Sequence, residues 1–270
     1  MKASVLRDYR GVGKDPSFGV NSQFDLNRVK DRVFNLKKDL KLLTLKNKSV
    51  LELGSGSGLF VAYLRKNGVE SYGVEPEEGA FKSSKLLLRE NNLPNCIKNG
   101  FGERIPFKDN YFDIVVSFQV LEHTQDPLKV LEQSRRVLKK GGLIYFVVPN
   151  YHSFWEGHYS VPWLPCLNKT FSKIYLKTIG RDEKFIDTLQ FVNPEKLRYW
   201  TKKLNLTILS LGEERFRRNI SKEKIKDYWA GNSLLRKTIE LIRRSKLDKI
   251  LAWIFIKLDF YYPITFIARK

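Results

Sequence analysis

Residues 50–58 constrain the fold of this chain more than any other stretch, because an apolar run ends there in a glycine-rich turn. They read Val-Leu-Glu-Leu-Gly-Ser-Gly-Ser-Gly, and the first part predicts a buried parallel strand. From Leu59 to Leu64 the apolar residues continue at helical spacing. Glycines in such a turn let the backbone approach a ligand closely, since no Cβ stands in the way. The stretch therefore predicts a strand–loop–helix unit of an α/β fold whose loop holds a ligand.

The residues of this loop separate several ligand classes. The dinucleotide pattern G-x-G-x-x-G lacks its third glycine, because position 59 is leucine, and the Gly-Lys-Ser/Thr end of a phosphate-binding loop is absent. Glu52, inside the strand end, would repel a phosphate but can pair with a ligand ammonium group. This combination suits the methionine part of S-adenosylmethionine. A tight turn in a nucleotide-free α/β domain is the plain alternative.

A second acid stands at the end of the next predicted strand. Residues 71–76 read Ser-Tyr-Gly-Val-Glu-Pro, a short strand that ends in Glu75. A carboxylate in that place can accept hydrogen bonds from both ribose hydroxyls of an adenosine. Without the glycine loop upstream, a solvated carboxylate would be the better interpretation. Together, the loop and Glu75 favour a ligand that contains adenosine.

Residues 48–150 contain five motifs in the order typical of one enzyme family. They resemble the core of a class I S-adenosylmethionine-dependent methyltransferase, in the group that includes quinone-biosynthesis and small-molecule or sugar methyltransferases. The motifs are the loop at 50–58, the ribose acid at 73–76, an adenine-flanking segment at 100–107, a fourth strand at 112–123, and a helix, turn and fifth strand at 136–150. The resemblance implies a Rossmann-like three-layer α/β/α sandwich. Its seven-stranded, mostly parallel sheet is expected in the order 3-2-1-4-5-7-6, with an antiparallel last strand.

The resemblance also implies the cofactor and the residues that bind it. S-adenosyl-L-methionine is the expected methyl donor, and S-adenosyl-L-homocysteine is the product. The expected contacts are Glu52, Gly54, Ser55, Gly56, Gly58, Glu75, Pro76, Phe101, Gly102, Glu103, Ser117 and Gln119. Phe101 departs from the family pattern, in which an acid often bonds the adenine amino group. We therefore expect adenine recognition through backbone groups near Gly102 and Glu103, with Phe101 as an apolar wall.

The rest of the chain is organised around this core. The expected parts are a helical cover at 1–47, the cofactor-binding core at 48–150, a substrate-side insertion at 151–192, and the C-terminal part of the sheet at 193–270. In the last part, residues 194–204 predict a helix that begins with proline. Residues 206–211 and 263–270 predict two strands. A basic helical insertion at about 213–260 separates them.

The protein's three histidines are the candidates for a catalytic base. His123, His152 and His158 lie in or near the carboxyl edge of the predicted sheet, where ligands bind in open α/β folds. Histidine suits proton transfer because its unperturbed pKa is near neutrality. For His123, a hydrogen bond that holds the loop is an equally good interpretation.

The insertion after the fifth strand is rich in aromatic residues, which predicts an acceptor pocket. The expected substrate contacts are Tyr151, Trp155, Glu156, Tyr159 and Trp163. Residues 156–165 also look like a segment of methyltransferases from bacterial surface-polysaccharide clusters. No metal site is predicted at His152, Glu156 and His158, because no fourth ligand is evident and the spacing matches no standard site.

These features predict methyl transfer to a small-molecule or glycan acceptor, with surface-polysaccharide and lipid-linked acceptors among the candidates. A hydroxyl is the leading acceptor group, and a carbon or nitrogen nucleophile stays open as the alternative. Two alternatives stay open: a nucleic-acid methyltransferase, and a non-catalytic methyltransferase-like scaffold. Against the first, residues 117–120 read Ser-Phe-Gln-Val, unlike the Asn/Asp-Pro-Pro-Tyr/Phe motif typical of base-amine methyltransferases. The intact loop and Glu75 argue against the second.

The charge of the chain indicates a possible polyanion partner. The net charge is +20, and residues 213–257 carry thirteen Lys/Arg against six Asp/Glu. Such a surface attracts anionic lipid, nucleic acid or phosphorylated substrates. Residues 234–260 predict a pair of helices on the sheet edge or, alternatively, an interfacial helix on an anionic membrane. No stable protein partner is predicted. The N-terminus lacks the apolar core of a signal peptide, which favours a cytoplasmic setting with peripheral membrane contact as an option.

Overall fold

One seven-stranded sheet forms the centre of the molecule. The computed structural model describes residues 25–220 and 248–270. Its strands are β1 (Ser49–Leu53), β2 (Glu70–Glu75), β3 (Ile97–Asn99), β4 (Phe112–Phe118), β5 (Leu138–Val148), β6 (Trp155–Glu156), β7 (Val161–Pro162), β8 (Thr207–Ser210) and β9 (Ile264–Arg269). The sheet has the order β3-β2-β1-β4-β5-β9-β8. The first five strands are parallel, and β9 runs antiparallel to both β5 and β8. Strands β6 and β7 pair with each other only, so the predicted order 3-2-1-4-5-7-6 is confirmed.

Helices connect the strands and are fixed by their caps. They are α1 (Leu26–Asp39), α2 (Leu59–Lys66), α3 (Glu78–Glu90), α4 (Pro127–Val137), α5 (Lys169–Thr178), α6 (Pro194–Lys203), α7 (Glu213–Ile220) and α8 (Asp248–Lys257), with 3-10 turns at Gly102–Arg104, Leu121–His123 and Lys184–Thr188. Asp126 and Asn193 each cap a helix that begins with proline, because proline fits the first helical position. None of the helices in residues 25–220 and 248–270 is long and apolar enough to cross a bilayer.

Alternate residues of the central strands pack on opposite faces of the sheet. Leu51 and Val115 belong to one hydrophobic cluster, whereas Val50 and Ile114 belong to another. Side chains of a strand point to its two faces in turn. Because both faces are covered, every residue of β1 is buried, as expected for a parallel sheet. The apolar run at 50–53 is therefore explained by its central place in the sheet.

The loop after β1 depends on its glycines. Gly54, Gly56 and Gly58 all have positive φ angles, of 68°, 52° and 77°, a region that side chains with a Cβ rarely adopt. A Cβ at Gly58 would lie 2.6 Å from Cδ1 of Ile97, and one at Gly54 would collide with Val120. The loop therefore packs tightly against Ile97 at the start of β3 and against Val120, two residues after β4.

The insertion after β5 folds around its own small core. The hairpin of β6 and β7, helix α5 and the turn at Lys184–Thr188 enclose the buried side chains Tyr151, Tyr159, Val161, Trp163, Leu176, Ile186 and Leu189. The N–H of Tyr151 donates to the carbonyl of Val192, which brings the two ends of the insertion together. The N–H of Gln190 donates to the carbonyl of Glu122 at 2.6 Å. The insertion is thereby fastened to the end of β4.

The C-terminal elements agree with their predicted positions within one residue. Helix α6 covers 194–203, and β8 and β9 cover 207–210 and 264–269. Helices α7 and α8 stand at the two ends of the predicted basic insertion, where the rings of Phe216 and Phe255 stack with centroids 6.1 Å apart. Residues 221–247, which hold most of that insertion, and residues 1–24 of the predicted cover lie outside the described residues.

Two arginines of the predicted basic stretch face inward. Arg215 and Arg218 of α7 both pair with Asp39 at the end of α1. The Asp39 side chain is 5% exposed, and Tyr145 of β5 also donates to it. These two cations therefore neutralise a buried acid and join α1 to α7, instead of adding to a free basic surface.

Candidate active site

The carboxyl ends of β1, β2 and β4 lie side by side and form the floor of the site. Leu53 at the end of β1 pairs with Val74 of β2 on one side and with Ser117 of β4 on the other. The parallel register therefore brings Glu52, Glu75 and Ser117 to one edge of the sheet, as the sequence predicts. Ligands bind at this edge in open α/β folds.

Glu75 is held in the glycine loop by two backbone donors. Its Oε2 accepts from the N–H of Gly56 at 2.7 Å, and its Oε1 accepts from the N–H of Glu77 at 3.0 Å. The residue is 6% exposed, and this burial raises the pKa of its carboxyl. A carboxylate has about four acceptor positions, so the two backbone bonds fix Glu75 and still leave capacity for ligand hydroxyls.

Glu52 is a buried acid without a full set of partners. Its Oε2 has no hydrogen-bond partner among the described residues, and its Oε1 lies 3.9 Å from Nη1 of Arg32. Burial raises the pKa of Glu52 to about 8, while Arg32 lowers it and Glu75 raises it. A buried carboxyl in this state is costly unless a partner arrives. The amino group of a methionine moiety is such a partner, so this residue fits the predicted cofactor.

Helix α1 brings two arginines to the same edge, and the sequence analysis missed both. Nη2 of Arg28 donates to Oε1 of Gln119 at 3.4 Å, and the guanidinium of Arg32 lies 4.5 Å from the ring centroid of Phe118. Residues four apart share a helix face, so the two arginines lie together, but this spacing is a weak signal in a chain so rich in lysine and arginine. Their charge suits the carboxylate of a bound amino acid.

The segment predicted to flank adenine lies between β3 and β4. Phe101 is 62% exposed, so its ring is accessible as the expected apolar wall. Gly102 begins the 3-10 turn, and the side chain of Glu103 accepts from the N–H groups of Gln125 and Asp126. The Glu103 carboxylate thus holds the loop before α4. Its predicted contribution to adenine binding through the backbone stays a prediction.

His123 and His158 meet at the mouth of the site. Their Nε2 atoms are 3.3 Å apart, and Nδ1 of His158 lies 2.7 Å from Oε1 of Glu156. Glu156 is 2% exposed and is itself fixed by the N–H of Tyr159 at 2.6 Å. The carboxylate favours a proton on Nδ1 of His158, which leaves Nε2 to exchange a proton with His123. We call the Glu156–His158–His123 chain the histidine relay.

Glu122 lies beneath the histidine relay. It is fully buried, and neither carboxylate oxygen has a hydrogen-bond partner among the described residues. Its Oε1 is 3.9 Å from Nε2 of both histidines. Burial raises the pKa of Glu122 to about 7, with His158 acting in the opposite direction. Burial and the neighbouring His158 lower the pKa of His123 to about 3, so its imidazole is neutral near pH 7 and is a weaker base than a free imidazole.

Three donor atoms in this cluster are also close enough to share a metal ion. One atom each from Glu122, His123 and His158 lies within 4.8 Å of the others. The set His152, Glu156 and His158, considered from the sequence, shares only His158 with this cluster. Imidazole and carboxylate ligands suit divalent transition metals, so the cluster can accept either a proton or a cation.

Comparison with known proteins agrees with this geometry. The family model of the methyltransferase domain matches residues 51–146, which span the glycine loop, Glu75, the histidine-bearing end of β4 and most of β5. Residues 51–146 therefore form a class I S-adenosylmethionine-dependent methyltransferase domain. S-adenosyl-L-methionine is therefore its methyl donor, and the strand order of the sheet is the one expected for this family.

Named relatives of this methyltransferase include enzymes of quinone biosynthesis. A ubiquinone biosynthesis O-methyltransferase from Coxiella burnetii is 27% identical over 177 residues, which cover 63% of this chain and 68% of that protein. The corresponding protein of Nitrosomonas europaea is 29% identical over 107 residues, covering 39% and 46%. A structure of Haemonchus contortus phosphoethanolamine N-methyltransferase 2 with S-adenosyl-L-methionine has a TM-score of 0.54 at 17% identity, covering 91% of this chain and 52% of that one. This last likeness shows the shared fold.

Other predicted site residues of the methyltransferase lie away from the relay. Nε2 of His152 accepts from the amide of Asn193 at 2.8 Å, so this histidine faces a separate cavity. Trp163 and Tyr159 are buried in the core of the insertion, and Trp155 is 7% exposed in β6. Tyr151 connects the two regions, since its hydroxyl donates to Glu156 at 3.4 Å. The role of these aromatic residues in acceptor binding stays a prediction.

Proposed function

We propose that this methyltransferase transfers the methyl group of S-adenosyl-L-methionine to a hydroxyl group of a small-molecule or glycan acceptor, with the histidine relay as the base. The observation that carries the proposal is the 3.3 Å contact between His123 and His158, backed by the buried carboxylate of Glu156. In other carboxylate–histidine systems, the carboxylate fixes the orientation of the imidazole and stabilises the imidazolium that forms. A hydroxyl nucleophile needs this help because it must lose its proton.

Each residue of the site has a defined part in this proposal. The bound cofactor supplies a methyl group on a positively charged sulfur. Glu52 pairs with the amino group of its methionine part, and Glu75 accepts from its ribose hydroxyls. The acceptor oxygen forms a bond to the methyl carbon as the bond from that carbon to sulfur breaks. His123 takes the proton of the hydroxyl, and His158 with Glu156 stabilises the resulting imidazolium. Positioning of the two reactants supplies much of the remaining rate.

The names of the relatives support an oxygen acceptor. The matched quinone-biosynthesis enzymes are O-methyltransferases by name. Phenolic quinone precursors, sugars and lipid-linked glycans are therefore the acceptors to examine first. For a lipid-linked acceptor, contact with an anionic membrane through α8 is part of the proposal. Ile250, Trp253 and Leu258 are each more than half exposed there, and sedimentation of the Trp253→Ala protein with anionic vesicles tests this contact.

A transfer assay with isotopically labelled methyl donor tests the proposed function. The panel contains phenolic quinone precursors, free sugars, lipid-linked glycans and, for the nucleic-acid alternative, tRNA and DNA. We expect a labelled methyl ether in one of the first three classes and its loss in His158→Asn and Glu156→Gln. Glu132→Gln is the matched control, because this acid pairs with Lys129 on the surface of α4. Labelled nucleic acid in place of a labelled small molecule or glycan would overturn the proposal.

A further inference from the structure

A second cavity opens on the insertion, beside the histidine relay. Its volume is about 300 Å³, and its wall includes Tyr151, His152, Lys169, Gln190, Phe191 and Lys196. It lies at the beginning of helices α5 and α6, since Lys169 and Lys196 stand in their first turns. The sequence predicts His152 in the acceptor region, and the structure brings it to the same cavity as the two lysines.

The cavity carries positive charge from two lysines whose ammonium groups bond to backbone carbonyls. Nζ of Lys169 donates to the carbonyl of Asp187 at 3.1 Å, and Nζ of Lys196 donates to the carbonyl of Phe191 at 2.7 Å. Neither ammonium forms an ion pair within residues 25–220 and 248–270. Burial and the nearby Lys169 lower the pKa of Lys196, and its neighbour Glu195 counteracts this only in part. An anion in the cavity would relieve the repulsion between the two cations.

Two helix N-termini add to this positive field. Asn168 caps α5 by accepting from the N–H of Phe171, and Asn193 caps α6 by accepting from the N–H of Lys196. Both asparagines line the cavity. The N-terminal end of a helix carries a partial positive charge and favours bound anions. The two lysines and two helix ends together suit a doubly charged group better than a single carboxylate.

Two cavity residues also touch the relay region. The ring of Tyr151 stacks on Phe191 with centroids 4.1 Å apart, and its hydroxyl donates to Glu156. The backbone of Gln190 is bonded to Glu122. A ligand group in the cavity would therefore lie next to Tyr151 and Gln190, which contact Glu156 and Glu122.

We propose that this cavity binds a phosphoryl group of the methyl acceptor, so that the substrate is a phosphorylated small molecule or glycan. The identity of the ligand as the acceptor rests on the proposed function. Binding of the phosphoryl group itself does not, and it can be measured without any methyl transfer.

Calorimetric titration with inorganic pyrophosphate at constant ionic strength tests the site. The test variant is Lys169→Met with Lys196→Met, which keeps the apolar stems and removes both charges. The matched control is Lys177→Met with Lys202→Met, because these lysines stand in the last turns of the same two helices. We expect saturable binding by the wild-type protein, at least tenfold weaker binding by the test variant, and a change of less than twofold in the control.

Further titrations separate the outcomes. Glucose 1-phosphate and micellar geranylgeranyl diphosphate distinguish a soluble acceptor from a lipid-linked one, and binding of either supports the site. Absence of pyrophosphate binding, or an equal loss of affinity in both double variants, would overturn the site.

S-adenosylmethionine binding is measured on every variant. Loss of phosphoryl binding with intact cofactor binding is the expected pattern for the test variant. A wild-type protein that binds pyrophosphate but not the cofactor would reject the proposed function and leave the phosphoryl site standing.

Discussion

Nε2 of His158 lies 3.3 Å from Nε2 of His123, although the two residues are 35 positions apart in the chain. The contact joins the end of β4, which belongs to the methyltransferase core, to an insertion that follows β5. Because Glu156 fixes His158 from the other side, the orientation of the pair depends on the folded insertion. The insertion therefore bounds the site and, in the proposed mechanism, supplies two residues of the relay.

Replacement of His123 or His158 by asparagine is expected to lower kcat for an oxygen acceptor about 100-fold or more, which is the usual range for loss of a general base. The neutral imidazole is the active form, and the pKa of His123 is lowered from its usual value. Because that pKa is lowered to about 3, wild-type kcat should not decline as the pH falls through 6.5, where a free histidine becomes protonated. Steady-state kinetics across pH measure this, with cofactor affinity as the control. A kcat within threefold of wild type in both variants would remove the relay from the mechanism.

Cofactor binding at pH 7 is expected to release a proton from Glu52. Burial raises the pKa of this carboxyl to about 8, so the free protein holds it mostly protonated at pH 7. An ammonium group beside it favours the charged form and lowers that pKa. Calorimetry in buffers of different ionisation enthalpy counts the released protons, and Glu52→Gln should abolish the release. Identical enthalpies in all buffers would show that Glu52 does not pair with the cofactor.

The same raised pKa has a consequence for stability. Between pH 4.5 and about 8, the folded protein keeps the proton of Glu52, whereas the unfolded chain loses it. The contribution of Glu52 is therefore most favourable at low pH and declines as the pH rises through this window. The free energy of unfolding of Glu52→Gln should lack this decline. Urea titrations of the wild-type protein and of Glu52→Gln at pH 5 and pH 8 measure these free energies. An equal change between the two pH values in both proteins would contradict the prediction.

Much of the fold was predictable because the core strands carry local signals. The apolar run at 50–53 and the glycines after it place β1 and its loop, and proline with a preceding asparagine marks the start of α6 at Pro194. The order of the strands came from the resemblance to a family, since periodicity within a strand does not encode its neighbours. The edge position of Glu52 and Glu75 follows directly from that order.

The contacts of the insertion were not predictable from its residues. Aromatic side chains at 151–163 are equally compatible with a ligand pocket and with a small core, and Trp163 and Tyr159 lie in the core. The relay depends on a long-range contact that no spacing signals. Arg28 and Arg32 were missed for a different reason, because basic residues are so frequent in this chain that two on one helix face do not stand out.

Glu75→Ala is expected to weaken binding of S-adenosylmethionine and S-adenosylhomocysteine at least tenfold. The substitution removes the acceptor for the ribose hydroxyls and also leaves the N–H groups of Gly56 and Glu77 without their present partner. Loss of a hydrogen bond to a charged group costs about 1.5–3 kcal/mol. Glu78→Ala is the control, because that acid is exposed and pairs with Lys82. Equal affinities of the two variants would contradict the assignment of Glu75.

Gly58→Ala is expected to destabilise the protein more than Gly68→Ala, although both glycines have similar φ angles of 77° and 73°. A positive φ costs a side chain about 1–2 kcal/mol, and this part is common to both. Only at Gly58 would the new Cβ meet other atoms, with Cδ1 of Ile97 at 2.6 Å and Cβ of Ser84 at 3.0 Å, whereas nothing lies within 4 Å at Gly68. Overpacking adds about 1–3 kcal/mol. Urea unfolding measures both variants, and equal losses would show that the loop can relax around a methyl group. Gly58 lies in the cofactor loop. We therefore expect Gly58→Ala to weaken cofactor binding as well as to lower the free energy of unfolding, whereas Gly68→Ala should leave cofactor binding unchanged.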